Sequence, residues 1–199
     1  DESLKGKILA SLFFAPSTRT RLSFESAMMR LGGNVITMEN GDSSSQSKGE
    51  TLEDSIKVVS QYADIIVMRH QEVGAAARAA AVSKVPVINA GDGNMGQHPT
   101  QALLDMYTLM KEKGKIDGLT VMMSGDLKYG RTVHSLCMLL RHFDVKMIFS
   151  SPEELKMPES YLDDLRGRGV AFEECSTLEE GLKKADVVFG FKIYCVKNF

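Results

Sequence analysis

Apolar positions along the 199-residue chain alternate between two regimes. Eight short runs have strand length and a high apolar content: KILASLFF (7–14), NVITME (34–39), ADIIVMRH (63–70), VPVINA (85–90), LTVMMSG (119–125), VKMIFSS (145–151), VAFEEC (170–175) and DVVFGFKIY (186–194). Several lack the in–out alternation of a half-exposed strand, which predicts cover on both faces. Between them the period lengthens to that of a helix. Phe24, Ala27, Met28 and Leu31 fall at i, i+3, i+4, i+7, as do Leu103, Met106, Tyr107 and Met110, and again Val133, Leu136, Cys137 and Leu140. Ser47–Glu50 and Ser176–Glu179 fit the capping-box spacing, in which a hydroxyl and a carboxylate satisfy backbone amides at a helix start. Pro99 suits a first helical turn and Gly114 a helix end.

The βαβα order implies a mostly parallel sheet with helices on both faces. Four strand runs precede the helix 99–113 and the turn Asp117–Gly118, and four follow. The predicted fold class is therefore α/β, with two consecutive doubly wound parallel-sheet domains, 1–98 and 114–199, joined by the helix 99–113. Open parallel sheets bind ligands beyond the carboxyl ends of their strands, so the residues just after each strand are the ones to inspect.

After the first strand comes Ser17-Thr18-Arg19-Thr20. Free amides and the positive dipole end of a helix favour an anion there; three hydroxyls and a guanidinium fork add donors suited to phosphate. An ordinary cap with solvated arginines is the competing reading. Arg21 and Glu25, at i and i+4, read as a surface pair. The second strand is followed by the polar loop 40–50 with Lys48, the third by Arg69, whose burial at a strand end would call for an anionic partner. The fourth leads to His98, just before Pro99, with Gln101 three residues on. A histidine at a helix start is expected to stay neutral and to donate toward a carbonyl oxygen. The fifth leads to Arg131 at a helix start, and His134 one turn later reads as a packing residue.

Composition narrows the chemistry. A formal net charge of -2 with interspersed signs offers no basic face for nucleic acid. No apolar run reaches membrane-spanning length, and no signal-peptide pattern precedes Lys7. Three scattered cysteines, Cys137, Cys175 and Cys195, suit thiols in a reducing compartment, and the expected location is cytoplasmic. There is no glycine-rich P-loop, no nucleophile–base pair and no metal-ligand spacing, so no cofactor or metal is expected. The chemistry left is transfer between two bound substrates, steered by positive charge and hydrogen bonds.

FFAPSTRTRLSFESAMMRLGG, SKGETLEDSIKVVSQYADIIVMRH, NAGDGNMGQHPTQALLDMYTL and GDLKYGRTVHSL together resemble the aspartate carbamoyltransferase family, in register from about residue 7 to about residue 188. The Ser-Thr-Arg-Thr box is shared by carbamoyltransferases in general; His-Pro-Thr-Gln and the GDLKYGRTVHS segment point to the aspartate branch. The resemblance implies attack of L-aspartate on carbamoyl phosphate, giving N-carbamoyl-L-aspartate and phosphate in pyrimidine synthesis. It implies that Ser17, Thr18, Arg19 and Thr20 hold the phosphate and that Thr20, Arg69 and His98 polarise the carbamoyl carbonyl. Gln101 would fix the carbamoyl nitrogen, and Arg131 and Lys48 would serve aspartate. Ser44 and Lys48 would reach into a neighbouring subunit's site, so a homotrimer is implied, with a regulatory chain as a further partner in some members.

The sequence departs from the family in two respects. Where members carry Arg-x-Gln for aspartate, this chain has Lys192-Ile193-Tyr194, and a lysine lacks the bidentate fork of an arginine. The family's first helix would precede Asp1 and the rest of its second domain would follow Phe199, so a partial second domain with exposed apolar area is expected. Two alternatives to aspartate carbamoylation stay open on these grounds: a non-catalytic carbamoyl-phosphate-binding or assembly module, and a carbamoyltransferase with another amine acceptor.

Overall fold

The computed structural model describes residues 2–39, 49–93 and 96–191. Each apolar run becomes a strand, in the order β1 (Ile8–Phe13), α1 (Thr18–Arg30), β2 (Asn34–Glu39), α2 (Leu52–Val59), β3 (Ile65–His70), α3 (Ala75–Val82), β4 (Val87–Asp92), α4 (Pro99–Lys113), β5 (Thr120–Gly125), α5 (Arg131–Leu140), β6 (Lys146–Ser150), α6 (Glu159–Gly167), β7 (Phe172–Glu174), α7 (Leu178–Leu182) and β8 (Val187–Phe191). The chain divides into two compact units, Asp1–His98 and Pro99–Phe199. Each holds a four-stranded sheet, ordered β2-β1-β3-β4 in the first and β7-β6-β5-β8 in the second, and every pairing is parallel.

Alternation along β1 shows why the first sheet is covered twice. Leu9 and Phe13 pack with Met28 of α1 on one face. Ala10, Leu12 and the following Phe14 pack with Ile56 of α2 and Ala76 and Ala79 of α3 on the other. Each large apolar side chain removed from water in this way contributes about 1.5–3 kcal/mol. In the second unit Val121, Met123, Met147 and Phe149 face α4, α5 and α6, while Met122 and Ile148 face α7.

Several expectations from sequence are corrected. On α5 all four inward positions, Val133, Leu136, Cys137 and Leu140, are buried. On α4 the inward residues are Ala102, Met106 and Leu109, whereas Leu103, Tyr107 and Met110 are 60%, 62% and 47% exposed. Apolar residues surround this helix, so the helical template fits it in more than one register, and packing against α5 selects the stripe through Met106 and Leu109. On α1, Ala27 faces solvent while Phe24 and Met28 point inward. The caps also move. Thr177, not Ser176, accepts from the Glu180 amide, and Thr51 caps α2 by accepting from the Asp54 amide; Ser47 lies outside the described residues. Both neighbouring frames satisfy the same S/T-x-x-acid spacing, so spacing alone leaves the choice open.

The Arg21–Glu25 pair is not a solvated surface pair. Its 2.8 Å bond joins side chains only 24% and 13% exposed, and the Thr37 hydroxyl on β2 also donates to Glu25. Burial opposes the charge on Glu25, but these hydrogen bonds and the Arg21 guanidinium hold its carboxyl below the usual range. His134 is the packing residue expected: its Nε2 lies 2.8 Å from the Leu127 carbonyl and its ring stacks on Tyr161 at 4.4 Å.

Candidate functional site

The strand order of the first unit reverses beside β1. The chain leaves β1 through α1 to reach β2 on one side, while β3 and β4 lie on the other. The carboxyl ends of β1 and β3 therefore flank a topological switch point, where open α/β sheets place their ligands. Phe13 pairs with Arg69 across this edge. The Arg69 carbonyl accepts the amides of Phe14, at 2.9 Å, and Ala15, at 3.3 Å, and Gln71 Nε2 donates to the Phe14 carbonyl at 3.4 Å. The loop that delivers the chain into α1 is thus fastened to the end of β3 by backbone.

At the start of α1 the competing readings separate. Ser17 sits at the N-cap in extended conformation, yet its hydroxyl makes no capping bond, unlike those of Thr51 and Thr177 on their helices. The first turn contains no acidic side chain. It carries Arg19 instead, exposed and, among the described residues, without a side-chain hydrogen bond or ion pair. A cation at the positive end of a helix is unfavourable by about 0.3–1 kcal/mol. A hydroxyl left uncommitted and a cation placed against the dipole both disfavour a plain cap, and both fit an anion at the amides of this turn. Thr18 and Thr20 stand beside them, exposed and half-buried respectively.

Two further side chains reach the same edge. Arg69, the penultimate residue of β3, is half-buried, with Nη1 3.4 Å from the Ala90 carbonyl of β4. His98 is buried and closes the loop that leaves β4, whose first turn is held by the Gly93 amide on the His70 carbonyl at 2.9 Å. Ser17, the first helical residues Thr18, Arg19 and Thr20, Arg69 and His98 thus all lie at or after the carboxyl ends of strands of one sheet. Arg131 opens α5, following β5 of the second unit, and is half-buried. Gln101, in the first turn of α4, also belongs to the second unit and donates through Nε2 to Asp105 at 3.0 Å. Burial raises the Asp105 carboxyl above its usual range despite this bond. Ser44, Lys48 and Lys192 lie outside the described residues. Among the described residues no group of three His, Cys, Asp or Glu side chains is placed to hold a metal ion.

Sequence reasoning passed over the residues that brace this edge. The His70 Nδ1 accepts the Glu72 amide at 3.0 Å, its ring packs against Phe14 in a T-shaped contact, and burial lowers its pKa. Asp92, only 6% exposed, accepts from the Gly74 amide at 2.7 Å and from Asn89 Nδ2 at 2.9 Å. The available signal was the glycine inside Asn89-Ala90-Gly91-Asp92, since an isolated glycine in a strand pattern marks a bulge.

Comparison with known proteins places this geometry. Residues 1–111 match the family model for the aspartate/ornithine carbamoyltransferase, carbamoyl-P binding domain. The aspartate carbamoyltransferase catalytic subunit of Thermococcus kodakarensis is 58% identical over 95% of this chain and 61% of its own length. The catalytic subunit of M. jannaschii aspartate transcarbamoylase superposes with a TM-score of 0.89 at 53% identity, covering 97% of this chain and 63% of that one. Aspartate transcarbamoylase from Trypanosoma cruzi, solved with carbamoyl phosphate and aspartate, gives 0.87 at 41% identity, covering 96% of this chain and 65% of that one. The chain spans about three-fifths of the length of these relatives. No helix among the described residues is long and apolar enough to cross a membrane.

Proposed function

Because the chain belongs to the aspartate/ornithine carbamoyltransferase family, we propose that it acts as an aspartate carbamoyltransferase catalytic chain. It moves the carbamoyl group from carbamoyl phosphate to the amine of L-aspartate, in pyrimidine synthesis. The observation that carries this reading is the start of α1, where the Ser17 hydroxyl is uncommitted and Arg19 stands against the helix dipole, on the chain that leaves β1 just after Phe13 pairs with Arg69 of β3.

The chemistry follows from where charge develops. The aspartate nitrogen attacks the carbamoyl carbon, and the carbonyl oxygen becomes an oxyanion. The carbon–oxygen bond to phosphate then breaks, and the proton leaving nitrogen passes to a phosphate oxygen. Ser17, Thr18, Arg19 and Thr20 bind the phosphate and stabilise it as it leaves. Thr20, Arg69 and His98 donate to the carbonyl oxygen, and each such donor is worth roughly 10²–10³ in rate. Orientation of two bound substrates supplies much of the rest, since no covalent intermediate is needed. Gln101 is assigned to the carbamoyl nitrogen, and Arg131 and Lys48 to aspartate. Ser44 and Lys48 are assigned to a neighbouring subunit's site in a cytoplasmic homotrimer. These last assignments rest on the family's motifs.

The test is transfer of radiolabelled carbamoyl from carbamoyl phosphate to L-aspartate, with L-ornithine as the competing acceptor. Label in carbamoylaspartate alone supports the reading. Label in carbamoylornithine would overturn the choice of acceptor, and no transfer by a folded chain that binds carbamoyl phosphate would leave a binding module.

A further inference from the structure

The pairing of β3 with β4 slips where the site is built. Met68 lies opposite Asn89 and His70 opposite Asp92, so the single residue Arg69 faces two, Ala90 and Gly91. This is a β-bulge on β4, a feature that re-aims side chains next to functional sites. Its backbone needs Gly91 at φ 112°, a region that other residues rarely adopt. Side chains hold it from both ends. Asn89 accepts the Gly91 amide through Oδ1 at 2.8 Å and donates through Nδ2 to Asp92 Oδ1 at 2.9 Å. Asp92 Oδ2 takes the Gly74 amide at the start of α3, at 2.7 Å, tying the bulge to the loop after β3. The loop that leads to His98 also rests on it, since a Cβ on Gly96 would lie 1.8 Å from the Asp92 carbonyl oxygen. The bulged Ala90 carbonyl is the one that Arg69 Nη1 meets.

We infer that Asn89 and Asp92 form a positioning pair that fixes the bulge opposite Arg69 and thereby aims the Arg69 guanidinium and the His98 loop at the carbamoyl phosphate. The inference rests on the proposed function. It carries a distinctive sign. Asp92 is a carboxylate on the strand beside the proposed anion site, so relief of Coulomb repulsion alone would make its neutralisation strengthen phosphate binding. As a brace its neutralisation weakens binding. Asparagine at 92 offers one acceptor where two donors converge, so Asp92→Asn leaves the Gly74 amide or the Asn89 amide facing another donor.

The experiment is calorimetric titration of the 199-residue chain with carbamoyl phosphate, with thermal midpoints recorded separately. Asp92→Asn is expected to bind at least tenfold more weakly. The exchanged pair Asn89→Asp with Asp92→Asn rebuilds every bond, since aspartate at 89 can accept from both the Gly91 amide and the asparagine at 92. It is expected to return affinity to within threefold of the parent. Asn89→Ala, which cuts the bridge from the other side, should weaken binding in the same direction. Unchanged or tighter binding by Asp92→Asn would overturn the inference, as would an exchange that restores the thermal midpoint but not affinity. Failure of the parent chain to bind would overturn the proposed function together with the inference.

Discussion

The Arg69 carbonyl accepts the amides of Phe14 and Ala15, so the end of β3 and the approach to α1 move as one piece of backbone. The Arg69 side chain is separate from that tie, with Nη1 3.4 Å from the Ala90 carbonyl. Arg69→Ala leaves the backbone tie in place and should lower carbamoyl transfer roughly 10²–10³-fold, with a much smaller effect on the thermal midpoint. Arg69→Lys, which keeps charge but loses the fork, should recover only part of the rate. A large fall in midpoint for either variant would show that the guanidinium holds the fold.

The hydroxyls at three helix starts separate ligand binding from capping. Thr51→Ala and Thr177→Ala each remove an acceptor for a helical amide, and each should cost about 1 kcal/mol in denaturant unfolding. Ser17→Ala removes no such bond and should change stability by only a few tenths of a kcal/mol while weakening carbamoyl-phosphate binding. Equal losses at all three positions would make Ser17 a cap.

The stripe on α4 has a stability signature. Leu109→Ala, at a position 2% exposed and outside the stripe that periodicity favours, should cost about 2–5 kcal/mol through lost burial and the cavity left behind. Leu103→Ala, at 60% exposure, should stay within about 0.5 kcal/mol. Urea unfolding of the two variants distinguishes the stripes, and the opposite ranking would restore the one that sequence periodicity favours.

Acid sensitivity should begin with histidines. Burial lowers the pKa of both His70 and His134, so the unfolded chain takes up protons at these sites before the folded one does. By linkage, their contribution is complete above about pH 7 and falls as pH drops below about 6.5 toward their folded values. For His134 the slope reaches at most about 1.4 kcal/mol per pH unit. His134→Gln, which keeps a donor for the Leu127 carbonyl, should flatten the stability profile between pH 7 and 5. Carboxylates act in a lower window. Glu173, bonded to Lys146 and Lys184, is held down to about 2, so its contribution is lost as pH falls from about 4.5 to about 2. A wild-type profile flat to pH 4.5 would contradict the histidine assignment.

Much of this architecture was legible because strand and helix periods alternate without interruption. The runs LASLFF and VMMS are apolar on both faces since both faces are covered, and the α5 stripe, with Val133, Leu136, Cys137 and Leu140, has one apolar register only. The α4 stripe was misread for the converse reason: apolar residues ring the helix, and only the surface of α5 chooses among them. The Ser17–Thr20 run, Arg69 and His98 were legible as types that bind anions, placed after strands. Asn89 and Asp92 were not: Gly91 between them hints at a bulge, but which residues brace it depends on the register between β3 and β4, which no local spacing in either segment records. The half-buried setting of Arg21 and Glu25 likewise depends on Thr37, twelve residues beyond Glu25 on another strand.

The most direct measurement is carbamoyl-phosphate binding to the chain and to its Arg19→Ala variant, with circular dichroism to follow the fold. Arg19 is exposed at the first turn of α1 and makes no side-chain contact that holds the structure together among the described residues. The account predicts saturable binding, displaced by inorganic phosphate, that is lost in Arg19→Ala while the spectrum and thermal midpoint stay unchanged. Equal affinity in the two chains would contradict it and return Ser17–Thr20 to the role of an ordinary helix start.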